Sequence, residues 1–213
     1  MDIIADYQNV KIMRLKLGPW NTNAYIIIDP LAGKSALIDV PDGARSIVKQ
    51  LKGTQLEWII LTHNHPDHTG GLAAVRSQVL SAVVAHPLDN HPGLPVRPDM
   101  DLHNHDCLLV GSLKLEVIHV PGHTPGSLGL RLGKFLFGGD TIFPGGPGRT
   151  GTPDDFQKIL KSISEQILTL PDDTRIYPGH GPSVTLKKAR QEYASFASRQ
   201  HSAGLCGDVT WNM

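Results

Sequence analysis

One segment constrains this chain more than any other: Thr62-His63-Asn64-His65-Pro66-Asp67-His68-Thr69-Gly70-Gly71, directly after the apolar run 58–61 and before a segment that suits a helix. Three imidazoles and a carboxylate fall within six residues. Neutral imidazole and carboxylate are ligand types suited to zinc, and little else needs so many of them together. Alternate residues of an extended chain point the same way, so His63 and His65 can address one point if strand geometry persists past residue 61. Pro66 then turns the chain, which lets Asp67 and His68 address a second point. The plainer alternative is a His-rich polar turn capping the next helix.

Three further positions favour the metal reading. His123 lies in Val120-Pro121-Gly122-His123-Thr124-Pro125-Gly126, Asp140 ends Phe137-Gly138-Gly139-Asp140, and His180 lies in Tyr177-Pro178-Gly179-His180-Gly181. Each follows a strand-like apolar run, and each is flanked by glycines that let the backbone approach closely. Singly, each reads as a loop residue; together they repeat one design. The other histidines among the 11, including His103 and His105 in a Pro/Asp-rich loop, read as structural or solvated. Cys107 and Cys206 belong to no paired motif, so neither a disulfide framework nor a Cys-His nucleophile is indicated.

The rest of the chain mixes strand-like and helix-like runs, the pattern of a layered α/β domain. Strands are expected at 12–17, 24–29, 35–39, 58–61, 82–85, 108–110, 113–120, 128–132, 134–137 and 174–177, with a hairpin turn at 30–33. Helices are expected at 44–51, 71–79, 156–168 and 186–198, the third with Asp154 and Asp155 at its N-terminus. Long loops are expected at 86–106 and 144–153. One domain is expected over 1–213, with its core at about 8–200 and a frayed end at 201–213.

Composition narrows the partners. Lys+Arg and Asp+Glu balance at 20 each, which gives no broad basic surface for nucleic acid or anionic membrane. No apolar run approaches the roughly 20 residues of a membrane span, and the N-terminus lacks signal-peptide character, so a cytoplasmic protein is expected.

The ordered set His63-x-His65-x-Asp67-His68, then His123, Asp140 and His180, resembles the ligand signature of the metallo-β-lactamase superfamily, and Asp39 resembles that family's earlier aspartate. The resemblance implies an α/β fold, a four-layer αβ/βα sandwich of two mixed β-sheets flanked by helices. It implies two zinc ions per chain, with iron or manganese as alternatives where carboxylates ligate. His63, His65 and His123 would hold one ion and Asp67, His68 and His180 the other, with Asp140 and a hydroxide bridging them. Asp67 and Asp140 would be the catalytic carboxylates, and Asp39 would orient a ligating imidazole through its other ring nitrogen.

Within the family, His68 together with Asp140, the Thr69-Gly70-Gly71 and His123-Thr124-Pro125-Gly126 segments, and Gly139-Asp140-Thr141-Ile142-Phe143 followed by Gly148-Arg149-Thr150 resemble short glyoxalase II-like hydrolases. That implies a metal-bridging hydroxide cleaving a thioester or ester of a small molecule. Long loops over a site often set specificity, and the loop at 143–153 offers Phe143 and Arg149 as candidate substrate contacts. A full-length glyoxalase II carries an added C-terminal helical region with basic residues for glutathione. Here only Lys187, Lys188 and Arg190 could stand in. The alternatives are a lactonase or β-lactamase-like amide hydrolase on the same centre, a mononuclear iron persulfide dioxygenase, and a non-catalytic metal-stabilised binding protein.

Overall fold

Short antiparallel connections build the first part of the molecule. The structure, a computed structural model, describes residues Met1–Met213. Strands β1 (Asp2–Tyr7), β2 (Val10–Leu17), β3 (Thr22–Asp29) and β4 (Lys34–Ile38) form an antiparallel meander. The chain then crosses through α1 (Ala44–Leu51) to β5 (Gln55–Ile60), and through α2 (Pro66–Thr69) and α3 (Leu72–Arg76) to β6 (Ala82–Ala85) and β7 (Met100–Asp101). The pairs β4–β5, β5–β6 and β6–β7 are parallel, which is why helices or long connections lie between most of them. All seven strands lie side by side in sequence order.

The second sheet contains β8 (Cys107–Val110), β9 (Leu113–His119), β10 (Leu128–Leu132) and β11 (Phe135–Gly139). After a short ribbon of β12 (Ile142–Phe143) and β13 (Gly146–Pro147) comes α4 (Pro153–Ser162). The chain returns to the sheet in β14 (Arg175–Pro178) and β15 (Val184–Thr185), and α5 (Leu186–Ala197) follows. The order is β15-β14-β11-β10-β9-β8, with β14 parallel to β11. Thr152 and Thr185 cap α4 and α5 by accepting from the backbone N–H three residues on, as side-chain oxygens at that position do.

Three apolar layers define the architecture. Ile12, Tyr25, Ile27, Ile38 and Ile60 of the first sheet meet Leu115, Val117, Leu130 and Phe137 of the second between the sheets. Met13, Ala24, Ile26 and Leu37 face outward against Ile47 and Leu51 of α1 and Leu72 and Val75 of α3. On the far side Ile118, Leu136 and Ile176 pack under Phe156 and Ile159 of α4 and Ala189 and Phe196 of α5. The result is the expected αβ/βα sandwich. Strand β3 is buried along its whole length because both faces are covered, which explains its near-continuous apolar sequence. No helix is long and apolar enough to cross a membrane.

Four expectations need correction. Residues 1–7 are not outside the core: β1 pairs with β2, and Ala5 is buried between the sheets. Residues 201–213 do not fray. Val209 and Trp211 fill the third apolar layer, Trp211 N–H donates to Gly145 O, and Gly207 bridges to Thr150. The 156–168 helix is α-helical only to Ser162 and continues as a π turn over Ile163–Ile167, which keeps Ile159, Ile163 and Ile167 all buried. The long loop at 86–106 contains a 3-10 turn at Pro87–Asp89 and the edge strand β7.

Candidate metal centre

Strand ends from both sheets converge at one edge of the sandwich. Asp39 follows β4, His63 and His65 follow β5, His123 follows β9, Asp140 follows β11 and His180 follows β14. His65 has extended backbone and Pro66 opens α2, so Asp67 and His68 sit in the first turn of that helix. Proline at this position is pre-organised for a helix and its missing N–H costs nothing.

The ligating atoms form two groups that share an edge. His65 Nδ1 lies 3.1 Å from His63 Nε2 and 2.9 Å from His123 Nε2. His180 Nε2 lies 3.2 Å from His68 Nε2 and 3.0 Å from Asp67 Oδ2. Asp140 lies between the groups, with Oδ1 3.4 Å from His68 Nε2 and Oδ2 3.7 Å from His123 Nε2 and 3.5 Å from His180 Nε2. Tetrahedral ligands about 2.0–2.1 Å from a zinc ion are about 3.3 Å from one another, so these spacings are those of a coordination shell.

Hydrogen bonds at the far side of each ring decide which nitrogen is bare. His68 Nδ1 donates to Asp39 Oδ2 at 2.8 Å, and His123 Nδ1 donates to the Arg149 carbonyl at 2.8 Å. His180 Nδ1 donates to the Trp20 carbonyl at 3.3 Å. Thr62 Oγ1 donates to Asp39 Oδ2, which leaves it to accept from His63 Nδ1 at 3.0 Å. Each of these four rings therefore turns an unprotonated Nε2 inward when neutral. Asp140 Oδ1 is buried with no hydrogen-bond partner. Lone pairs facing lone pairs at these distances repel unless a cation lies between them, and the donor set is the one zinc prefers. The residues fit a pair of metal ions.

The protonation tendencies agree. Burial opposes charge on His68, but Asp39 and Asp140 outweigh it and hold its pKa raised to about 10. Burial, then the neighbouring imidazoles, push His63 well below its usual value. Burial opposes ionisation of Asp67 and Asp140, yet His180 and His68 hold both carboxyls below the usual range. Without metal, a proton on His68 supplies the positive charge the centre demands.

All seven candidate ligands thus meet, and Asp39 hydrogen-bonds His68 beside them. Its backbone takes a positive φ of 58°, tolerable for aspartate, and its carboxylate accepts from Thr62 N, Thr62 Oγ1 and His68 Nδ1. The Arg149 carbonyl fixes His123, and its guanidinium is largely exposed, 3.6 Å from Asp208. Phe143 is half-buried in β12. Residues not expected from the sequence also serve the centre. Asn23 and Tyr25 on β3 donate to the Pro178 carbonyl at 2.9 and 2.7 Å, Asn23 N–H takes the Gly179 carbonyl, and together they hold the His180 loop against the first sheet. The adjacent polar pair Thr22-Asn23 at the head of an otherwise apolar strand was the available hint. His86 and His119 instead stack on one another at 4.0 Å, and His201 stacks on Phe196.

Known proteins resemble this chain in sequence and fold. The profile of the metallo-beta-lactamase superfamily matches residues 17–180. A hydroxyacylglutathione hydrolase of Polaromonas sp. (strain JS666 / ATCC BAA-500) is 34% identical over 171 residues, 76% of this chain and 64% of that one. Relatives of the same name recur at comparable identity, and the chain spans less than two thirds of the length of several. Among solved structures, the BLEG-1 B3 metallo-beta-lactamase superposes with a TM-score of 0.77 at 30% identity, covering 84% of this chain and 96% of that one. TTHA1623, solved in a di-iron-bound form, superposes with a TM-score of 0.71 at 29% identity, covering 84% and 97%. With the profile matching most of its length, the chain belongs to the metallo-beta-lactamase superfamily.

Proposed function

We propose that this protein is a di-metal hydrolase acting on a thioester or ester of a small molecule, in the manner the name hydroxyacylglutathione hydrolase describes for its relatives. The observation that carries the reading is the convergence of imidazole lone pairs and two carboxylates at coordination spacing, with the outer ring nitrogens of four histidines held by hydrogen bonds. His63, His65 and His123 would hold one ion, Asp67, His68 and His180 the other, and Asp140 would serve both. When bound, such ions lower the pKa of water toward 7 and polarise an acyl carbonyl, which supplies nucleophile and electrophile together. Zinc suits this thiolate-free set, and the di-iron form of one structural relative makes iron the first alternative.

The chain's own residues set the remaining terms. Asp67 Oδ2 accepts from Thr22 Oγ1 at 3.1 Å, which orients the oxygen that lies 3.0 Å from His180 Nε2. The substrate has room on two sides of the motif. A cavity of about 200 Å³ is lined by Asn64, His65, Thr69 and His91, and one of about 120 Å³ by Trp20, Thr22, Asp42 and Asp67. Both hollows adjoin Pro66, one reaching the centre at His65 and the other at Asp67, a scale that suits a small-molecule substrate. A second reading, amide cleavage in a β-lactam, is favoured by the near-complete coverage of the BLEG-1 structure.

Elemental analysis of the purified protein, paired with hydrolysis of S-lactoylglutathione, a lactone and a β-lactam, tests both. About two metals per chain with thioester turnover, lost in His65→Ala and Asp140→Ala, is the expected result. Turnover of the β-lactam alone moves the substrate to the second reading. One iron per chain supports persulfide dioxygenation instead, and no metal with no turnover overturns the enzyme reading.

A further inference from the structure

We propose that Asp89 is a positioning residue for the His63–His65–His123 half of the centre, an inference that rests on the di-metal reading above. Asp89 lies in the 3-10 turn after β6, remote in sequence from every ligand, and is only 2% exposed. Its carboxylate crosses from the first sheet to the β9–β10 connection of the second. There Oδ1 accepts the Gly126 N–H at 2.7 Å and Oδ2 accepts the Thr124 hydroxyl at 2.7 Å. Thr124 Oγ1 in turn lies 2.7 Å from Ser127 Oγ, and Thr124 N–H donates to that same Ser127 oxygen at 3.0 Å. The turn that begins at His123 is thus tied to one buried carboxylate.

The same residue reaches the other side of the centre. Its backbone carbonyl accepts the Asn64 side-chain amide at 3.3 Å, and Asn64 stands between His63 and His65. Asp89 therefore touches both loops whose imidazoles, His65 and His123, approach to 2.9 Å. The fit is close: a Cβ on Gly126 would fall 2.7 Å from the Asp89 carboxyl carbon, so only glycine admits the contact. The opposite half uses a separate support, since Asn23, Tyr25 and the Trp20 carbonyl hold the His180 loop. Two loops from different sheets have no covalent reason to keep a fixed spacing. Asp89 provides one: charge-assisted hydrogen bonds hold the His123 turn to its buried carboxylate, which would lose its donors if that turn moved, while its backbone carbonyl holds Asn64 of the other loop.

The test is a zinc titration by chelator competition on wild-type protein, Asp89→Ala, Asp89→Asn and Asn23→Ala, with His65→Ala and His180→Ala marking which binding step belongs to which half. Asp89→Ala is expected to weaken the first half about 10–100-fold, the usual scale for losing an outer hydrogen-bond partner of a ligand, and to leave the second within about threefold. Asp89→Asn, which keeps the acceptor for Gly126 but sets an amide NH2 against the Thr124 hydroxyl, is expected to recover only part of the loss and to leave the first half weakened about threefold to tenfold. Asn23→Ala is expected to show the reverse selectivity. Equal weakening of both halves in Asp89→Ala, or no change in either, overturns the proposal. A loss of folded signal in Asp89→Ala shifts the decision to Asp89→Asn, where a change confined to the second half or absent altogether overturns it. A wild-type protein that binds no metal overturns the di-metal reading itself, and this inference with it.

Discussion

Replacing Asp39 by Asn changes one buried atom and should reverse the hydrogen bonds on two ligands. The Thr62 N–H can only donate, so the new amide must keep its oxygen where Oδ1 now accepts at 2.8 Å. Its NH2 then takes the Oδ2 position, 2.8 Å from both Thr62 Oγ1 and His68 Nδ1. Two groups that donate in the native centre now face a donor. A neutral His68 answers by carrying its proton on Nε2, the atom that faces Asp67, Asp140 and His180. The Thr62 hydroxyl turns toward His63 Nδ1, 3.0 Å away, and biases that ring the same way. A metal ion at His68 must then restore an Nδ1–H pointing at an amide N–H, leaving a buried donor unsatisfied at a cost of about 1–3 kcal/mol. At about 1.4 kcal/mol per tenfold, zinc affinity at the Asp67–His68–His180 group should fall about 10–100-fold. Asparagine matches aspartate in shape, so circular dichroism should be unchanged while competition with a chromophoric chelator reads the loss. An affinity within about twofold of wild type would refute the assignment of donors around Asp39.

Other perturbations probe separate links. A methyl group at Gly179 would lie 2.1 Å from Asp140 Oδ1 and 2.5 Å from His68 Cε1, so Gly179→Ala must displace both by about 1 Å, several times the roughly 0.2 Å tolerance of metal–ligand distances; elemental analysis should find fewer than two metals per chain. Asp29, whose pKa is lowered to about 2 by hydrogen bonds from Ser112 and then from Ala32 and Leu31, ties the β3–β4 turn to the β8–β9 turn. Because its pKa is depressed on folding, the stabilisation is present above about pH 4 and is lost as pH falls through 2; Asp29→Asn should cost about 2 kcal/mol at pH 7 and flatten that acid limb in urea melts between pH 2 and 5. Trp211, 1% exposed, packs on Tyr193 and Phe196; Trp211→Ala should cost about 3–5 kcal/mol, and an unchanged Tm would contradict the docked end.

The expected strands and helices were recovered where local pattern carries the information. The 128–132 strand appears as β10 with those same limits, and the 44–51 helix as α1. What local pattern missed were pieces whose partners are distant. Strand β1 is mostly exposed, so its Ile3-Ile4-Ala5 run carries no buried-face alternation, and its pairing with β2 makes it a strand. Strand β15 has two residues and exists through β14. The 201–213 segment reads as a tail because its apolar residues follow neither a helical nor a strand period, yet Trp211 finds a pocket between α5 and the Gly145 turn.

The candidate ligands were readable because coordination chemistry limits residue type: imidazoles and carboxylates after strand ends announce themselves in any chain that gathers them. Sequence alone therefore determined the layered α/β class, the seven candidate ligands and Asp39. Tertiary structure alone decided how those ligands are aimed. The carbonyls of Trp20 and Arg149 that orient His180 and His123 belong to every residue type equally, so no side-chain pattern could disclose them. The buried carboxylate of Asp89 looks like any loop aspartate until two sheets face each other and place Gly126, Thr124 and Asn64 around it. Chemistry is written in residue identity, whereas orientation depends on backbone groups and distant neighbours that only folding brings within hydrogen-bond range.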